Sequence, residues 1–328
     1  MESLSLRYLM SKGTSKFLDF KYTANKVSIP LFAILLFLGC SKDLDPNVQR
    51  NHNQAIILVV WDGIRLSDIT TEHGSLDPTK VPFLTSLANK SNSFFTYKFF
   101  HEGYTYTMAG HLALLSGRHI AIANDASGKA PYRTLLHKTI IQKNLNPEKV
   151  WIVATKKKIC SLAQCTDSIC NDIPKPQGMC NLYGLWGPID NRTFQGSIQV
   201  IQNYKPNLLL VSFAAPDITA HAGNYDAYIQ AIKQVDEYTS HLYSLVNTIY
   251  TDSVIFIITT DHGRHDYDYK GHGDKCSGCT SLFLLVNLPF QQTISLPPYL
   301  KKHNPIVHRD IYCWMAHFMS ISDPICFY

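Results

Sequence analysis

Five long apolar runs punctuate the chain: AIILVVW (55–61), VWIVAT (150–155), NLLLVSF (207–213), SVIFIITT (253–260) and SLFLLV (281–286). Each is continuous rather than alternating and rich in Val, Ile and Leu, as strands covered on both faces must be. Between them lie segments that predict helices near 80–90, 107–116, 133–144, 194–203, 225–249 and 308–320. Strands alternating with helices predict an α/β fold, a three-layer α/β/α sandwich around a mostly parallel central sheet. No internal repeat or low-complexity stretch interrupts the pattern, so residues 54–328 are expected to form one domain.

A shorter apolar run, IPLFAILLFLG (29–39), behaves differently. It is about half the roughly 20 residues that a membrane-spanning helix needs, it follows Lys21 and Lys26, and it ends at Cys40 before the polar stretch SKDLDPNVQRNHNQ. This looks like a bacterial lipoprotein signal. It predicts a signal peptide over 1–39, lipidation of Cys40 and a flexible tether over 40–53. The expected location is the bacterial cell envelope, lipid-anchored to a membrane and either periplasmic or surface-exposed. An ordinary secretory signal or an uncleaved anchor, with Cys40 incidental, is the alternative, and the long stretch before the run leaves Met10 beside Met1 as a start.

Composition narrows the function classes. With 45% hydrophobic and 12% aromatic residues among 328, the chain can bury a sizeable core. Of the formal charge of +5, residues 1–39 supply five basic and two acidic side chains, which leaves +2 for the rest. No concentrated basic stripe suggests nucleic-acid binding. The one short run, Lys156-Lys157-Lys158, reads as a solvated loop. Besides Cys40 there are eight cysteines: Cys160, Cys165, Cys170, Cys180, Cys276, Cys279, Cys313 and Cys326. In an exported protein an even number favours disulfides, whose pairing the sequence leaves open. Four of them, in 160–180, suggest a locally stapled insertion within 156–195. Cys276-Ser-Gly-Cys279 has the spacing of a redox pair or half a zinc site, and a structural disulfide is expected there.

The chemistry gathers at the strand ends, where ligands bind in open α/β sheets. The first run leads into Asp62-Gly63; the third is followed by Asp217 and, four residues on, His221; the fourth leads into Asp261-His262-Gly263; and His272 lies on the loop before the fifth. Singly, such an Asp reads as a cap or turn former and such a His as structural. Together they make a carboxylate and imidazole set suited to Zn²⁺. Thr107 stands where a helix (TMAGHLALLS) would begin, and its hydroxyl would either cap that helix or, beside a metal, act as a nucleophile. Thr105 is the competing hydroxyl. His111 is expected to pack and hydrogen-bond rather than ligate.

Taken in order, VVWDGIR (59–65), TMAGHLALLSG (107–117), PDITAHAG (216–223), TDHGRHD (260–266) and KGHGD (270–274) resemble the alkaline phosphatase superfamily, in particular its nucleotide pyrophosphatase/phosphodiesterase branch. The resemblance implies that Asp62, Asp261, His262 and the Thr107 oxygen hold one zinc ion and Asp217, His221 and His272 a second. It implies attack by Thr107 on phosphorus, a phospho-threonine intermediate released by water, and Asn124 as the residue that orients a phosphoryl oxygen. The substrate implied is a small phosphorylated molecule, cleaved as a monoester or a diester. Other readings are a hydrolase or transferase of phosphonate, sulfate or lipid-headgroup substrates, and a non-catalytic surface lipoprotein. The chain departs from the family in having Ala109-Gly110 where Pro-Asn is common. It lacks the C/S-x-P-x-R context of formylglycine sulfatases. Substrate specificity is expected in 156–195 and 264–279.

Overall fold

The computed structural model describes residues 54–183, 187–251, 253–289 and 305–326, all in one compact unit. The expected signal peptide, tether and lipidation site at Cys40 lie outside the described residues. In chain order the elements are β1 (Ala55–Trp61), α1 (Leu66–Ile69), α2 (Pro82–Ala88), β2 (Ser93–Phe100), α3 (Thr107–Ser116), α4 (Leu135–Lys143), β3 (Val150–Ala154) and β4 (Gln177–Cys180). There follow α5 (Asn191–Tyr204), β5 (Leu208–Phe213), α6 (Ala215–His221), α7 (Tyr225–Tyr250), β6 (Val254–Thr259), α8 (Ser277–Thr280), β7 (Ser281–Asn287), β8 (Ile306–Val307) and α9 (His308–Phe318).

Eight strands among the described residues form one sheet in the order β4-β3-β5-β1-β6-β7-β2-β8. β4, β3, β5, β1 and β6 pair in parallel, and β7 runs antiparallel to both of its neighbours, β6 and β2. Only β7 is reversed, because β2 and β8 are parallel to each other and share the direction of β6. The sheet is therefore mostly parallel, as expected.

The continuous apolar runs follow from burial on both faces. In β1 every residue is buried, and successive side chains enter different cores. Ile56, Leu58 and Val60 pack with Leu112 and Leu115 of α3, Leu136 of α4 and Trp314 of α9. Ile57, Val59 and Trp61 pack with Leu84 of α2, Val200 of α5 and Ile232, Val235 and Leu242 of α7. These are the two helical layers of an α/β/α sandwich.

Three elements of the sheet, β2, β4 and β8, have no counterpart among the five runs. The segment 156–195 is more than a surface insertion: β4 extends the sheet beside β3, and Ile159 and Leu162 enter the core. Disulfides join Cys160 to Cys180, Cys165 to Cys170 and Cys313 to Cys326. Cys276 and Cys279 form none, which corrects the structural disulfide expected there: their sulfurs face His265, not each other's bond.

Asp236 of α7 accepts the amides of Phe83 and Leu84 at 2.8 Å each, stapling the start of α2. Burial pushes its carboxyl up to about 6, against those two donors, from an ordinary 3.8. With the folded value above the unfolded one, its stabilisation is complete below about pH 3.8 and is lost as pH rises through about 6. We expect roughly 3 kcal/mol less stability at pH 7.5 than at pH 3.8 from this group. Asp236→Asn should flatten that part of the slope, read from urea midpoints across the range.

Candidate metal centre

β3, β5, β1 and β6 are adjacent and parallel, so their carboxyl ends open side by side. β1 runs directly into Asp62 and β6, through Thr260, into Asp261 and His262. After β5 a turn at Ala214 starts α6, which carries Asp217 in its first turn and His221 as its last residue. Asp190 fixes that helix by accepting the amides of Ala214 and Ala215 at 2.9 and 2.8 Å. Opposite these ends begins α3, a helix buried on every side. Gly110 lets it come this close: a Cβ there would sit 2.3 Å from the Asp261 carbonyl oxygen. The Ala109-Gly110 departure is thus a packing feature of this chain.

The side chains singled out from the sequence meet in two groups. Asp62, Asp217 and His262 bring ligand atoms within 4.8 Å of one another, as do Asp217, His221 and His272. His262 Nε2 lies 3.6 Å from Asp62 Oδ1 and 3.5 Å from Asp261 Oδ2. His221 Nε2 and His272 Nε2 lie 3.0 Å apart, at 3.3 and 3.6 Å from Asp217 Oδ1. His221 is half exposed and marks the open side.

The ring orientations fit a cation. His262 Nδ1 donates to the Gly263 carbonyl and His272 Nδ1 to the Thr105 carbonyl, each at 2.9 Å, which turns both Nε2 atoms toward the carboxylates, His272 Nε2 also meeting His221 Nε2. Asp62 Oδ1 and His262 Nε2 are buried and make no hydrogen bond, while Asp261 Oδ2 has only His111 Nδ1, 3.2 Å away and already donating to the Thr107 carbonyl. Buried acceptors without donors are costly unless a cation satisfies them. The carboxylate oxygens and imidazole nitrogens suit a divalent ion of zinc's type.

Thr107 is the first residue of α3; the N-cap is Tyr106, and no side chain caps from that position. Its hydroxyl is therefore not a cap. Thr107 Oγ1 accepts from Lys156 Nζ at 3.3 Å. Thr105 is turned away, its hydroxyl donating to the Asp274 carbonyl at 2.6 Å. Asn124 reaches the same helix end: its Oδ1 accepts the Met108 amide at 3.1 Å and Lys158 Nζ at 2.9 Å. His111 bridges the Thr107 carbonyl at 2.8 Å and Ser212 Oγ at 2.9 Å, the hydrogen-bonding role expected of it.

Two cations of the site were not anticipated. Lys156, read as part of a solvated run, is buried, its Nζ 2.8 Å from Asp62 Oδ2 and 2.5 Å from Asp217 Oδ2. Burial works against its charge, but the two carboxylates outweigh it and raise its pKa, so Lys156 stays an ammonium. Arg264, inside the TDHGRHD stretch, is buried, pairs with Asp217 and donates from Nε to the Gly63 carbonyl at 2.8 Å, locking the ends of β1 and β6 to α6. Asp217 is buried too, yet Lys156, His221 and Arg264 together hold its carboxyl well below the usual range.

A protein-family description of the metalloenzyme superfamily matches residues 54–273. The 2,3-bisphosphoglycerate-independent phosphoglycerate mutase of Haloquadratum walsbyi is 36% identical over 76 residues, which span 23% of this chain and 14% of that protein. Among solved structures, the C-terminal periplasmic domain of EcEptC from Escherichia coli in complex with Zn has a TM-score of 0.59 at 11% identity, covering 82% of this chain and 83% of that one. A protein in the alkaline phosphatase superfamily from Vibrio parahaemolyticus has a TM-score of 0.56 at 12% identity, covering 83% and 68%. At such identities these two likenesses are likenesses of fold.

Proposed function

The chain belongs to the metalloenzyme superfamily, whose members are metal-dependent phosphoryl or sulfuryl transferases or hydrolases, and from that premise we propose a hydrolase of phosphate esters with Thr107 as its nucleophile. The finer placement in the nucleotide pyrophosphatase/phosphodiesterase branch is part of the proposal. Above all it rests on the position of Thr107: its hydroxyl, unused in capping, shares Lys156 with Asp62 and with Asp217, the carboxylate common to both ligand groups.

Asp62, Asp261, His262 and Thr107 would hold one divalent ion and Asp217, His221 and His272 the other, both zinc in this reading. Bound there, the ions would neutralise charge on the entering and leaving oxygens. Thr107 Oγ1 gives up its hydroxyl proton to solvent and bonds to phosphorus as the ester bond breaks, and the departing oxygen takes a proton from solvent and leaves as an alcohol. Water then cleaves the phospho-threonine, restoring the hydroxyl and releasing phosphate or a phosphate monoester. Lys156, whose Nζ reaches Thr107 Oγ1 at 3.3 Å, contributes charge at the nucleophile. Asn124, anchored on the Met108 amide, orients a non-bridging oxygen. Positioning and charge neutralisation are what phosphoryl transfer chiefly requires.

Three disulfides among the described residues suit an oxidising compartment outside the cytoplasm. We extend the proposal to a lipid anchor at Cys40 in a bacterial envelope; a Cys40→Ala protein that still partitioned with lipoproteins would exclude it. The activity is tested by comparing rates on aryl phosphate monoesters, phosphate diesters and sulfate esters with zinc added. Phosphate esters should turn over at least about 10³-fold faster than the sulfate ester, a difference of about 4 kcal/mol in barrier. A preference for sulfate would refute the phosphate assignment.

A further inference from the structure

His265, Asp274, Cys276 and Cys279 lie on the segment between β6 and β7 that includes α8, apart from the ligand groups described above, and their ligand atoms all fall within 4.8 Å of one another. His265 Nδ1 is 3.0 Å from Asp274 Oδ2, 3.3 Å from Cys279 Sγ and 3.7 Å from Cys276 Sγ. Zn–S bonds of about 2.3 Å and Zn–N or Zn–O bonds of about 2.0–2.2 Å, set at tetrahedral angles, place neighbouring ligand atoms roughly 3.3–3.8 Å apart. The two His265–sulfur separations fall on those edges, and the His265–Asp274 separation, 3.0 Å, is about 0.3 Å shorter than them. The six other described cysteines are joined in disulfides, whereas these two thiols converge on an imidazole and a carboxylate.

We propose that this cluster is a structural zinc site with a Cys₂-His-Asp ligand set. The surrounding backbone is built to hold it. Cys276 N–H donates to Asp274 Oδ1 at 3.0 Å, Gly263 N–H to the Cys279 carbonyl at 2.9 Å and Arg264 N–H to the Gly278 carbonyl at 3.0 Å. The last two bonds join the strand-end segment that bears His262 to the Cys-x-x-Cys turn. Gly278 makes that approach possible, since a Cβ there would sit 2.3 Å from the Arg264 carbonyl oxygen. Two soft thiolates with one imidazole and one carboxylate select zinc over harder ions. On binding, each thiol gives up its proton to solvent and four protein ligands close the shell, which is the arrangement of a structural site.

Its consequence reaches the sheet edge. The Asp274 carbonyl accepts from the Thr105 hydroxyl, and the Thr105 carbonyl accepts from His272 Nδ1. Zinc at the cluster would pin the loop whose residues aim the His272 ring. The site itself does not depend on Thr107 being a nucleophile.

Cobalt substitution separates this site from the sheet-edge centre, whose candidate ligands are all oxygen and nitrogen. Purified full-length protein, kept reduced and loaded with Co²⁺, should show thiolate-to-cobalt charge-transfer absorption in the near ultraviolet, and added Zn²⁺ should bleach it. Cys276→Ser/Cys279→Ser should lose that band and about one of three zinc ions per chain, keeping about two. Zinc-loaded wild-type protein should also protect Cys276 and Cys279 from a thiol reagent. Absence of the band in the reduced wild type, full reactivity of both thiols with zinc present, or a Cys276–Cys279 disulfide in the native protein would overturn the proposal, and each can be read without the double variant.

Discussion

Thr107→Ala is expected to lower turnover of a phosphate ester by at least about 10⁴-fold, as removal of a covalent nucleophile would, while leaving fold and metal content largely intact. The fold survives because α3 does not use this hydroxyl as a cap, and its first free amides are served from elsewhere, Met108 N–H by Asn124. Metal content survives because three other ligands remain in that group. Thr107→Ser, which keeps the hydroxyl but loses the methyl, should recover most of the rate. Acid-quenched wild-type protein incubated with phosphorus-labelled substrate should carry label on the Thr107 peptide. A Thr107→Ala enzyme as fast as wild type would move the nucleophile elsewhere, with Thr105, buried 2.6 Å from a carbonyl it already serves, the first to re-examine.

The second large effect is on the metals. Asp261→Ala or His262→Ala should remove about one zinc equivalent and lower turnover by at least about 10³-fold, since the ions supply several kcal/mol of transition-state stabilisation. His262→Ala is the cleaner variant. Asp261 Oδ1 also accepts the amides of Gly63 and His262 at 3.0 Å each, so its loss strands two buried donors and costs about 1–3 kcal/mol of stability for each. Elemental analysis that found as much zinc in a folded His262→Ala protein as in wild type would contradict the ligand assignment, whatever the rate.

Much of this centre is written in the order of residues because parallel strands share an edge. Once AIILVVW, NLLLVSF and SVIFIITT are taken as parallel neighbours, Asp62, Asp217, Asp261 and His262 have to converge. The same rule would have brought in Lys156, two residues beyond β3, but a triple-lysine run has the pattern of a solvated surface, and only the two carboxylates explain why its first member is buried. Arg264 was hidden for a similar reason: its five donors are spent largely on backbone carbonyls, which leave no mark on side-chain pattern.

β2 was missed because SFFTYKFF interleaves polar with aromatic residues, is only partly buried and breaks register between Thr96 and Phe99. The reversal of β7 is a property of connections rather than of its residues. β4 is four residues with no apolar run, held by pairing with β3 and by the Cys160–Cys180 bond. Cys276 and Cys279 were misread because the other half of their surroundings, His265 and Asp274, is brought in by a turn in which His265 N–H meets the Gly271 carbonyl. Nothing in the spacing announces that turn.

The most direct measurement is anomalous diffraction at the zinc edge from crystals of the full-length protein grown with zinc. We predict one peak within about 2.0–2.2 Å of ligand atoms from Asp62, Asp261, His262 and Thr107 and a second at the same distances from Asp217, His221 and His272. Density for Lys156 between the carboxylates with no anomalous signal at either position would contradict a two-metal centre beside Thr107.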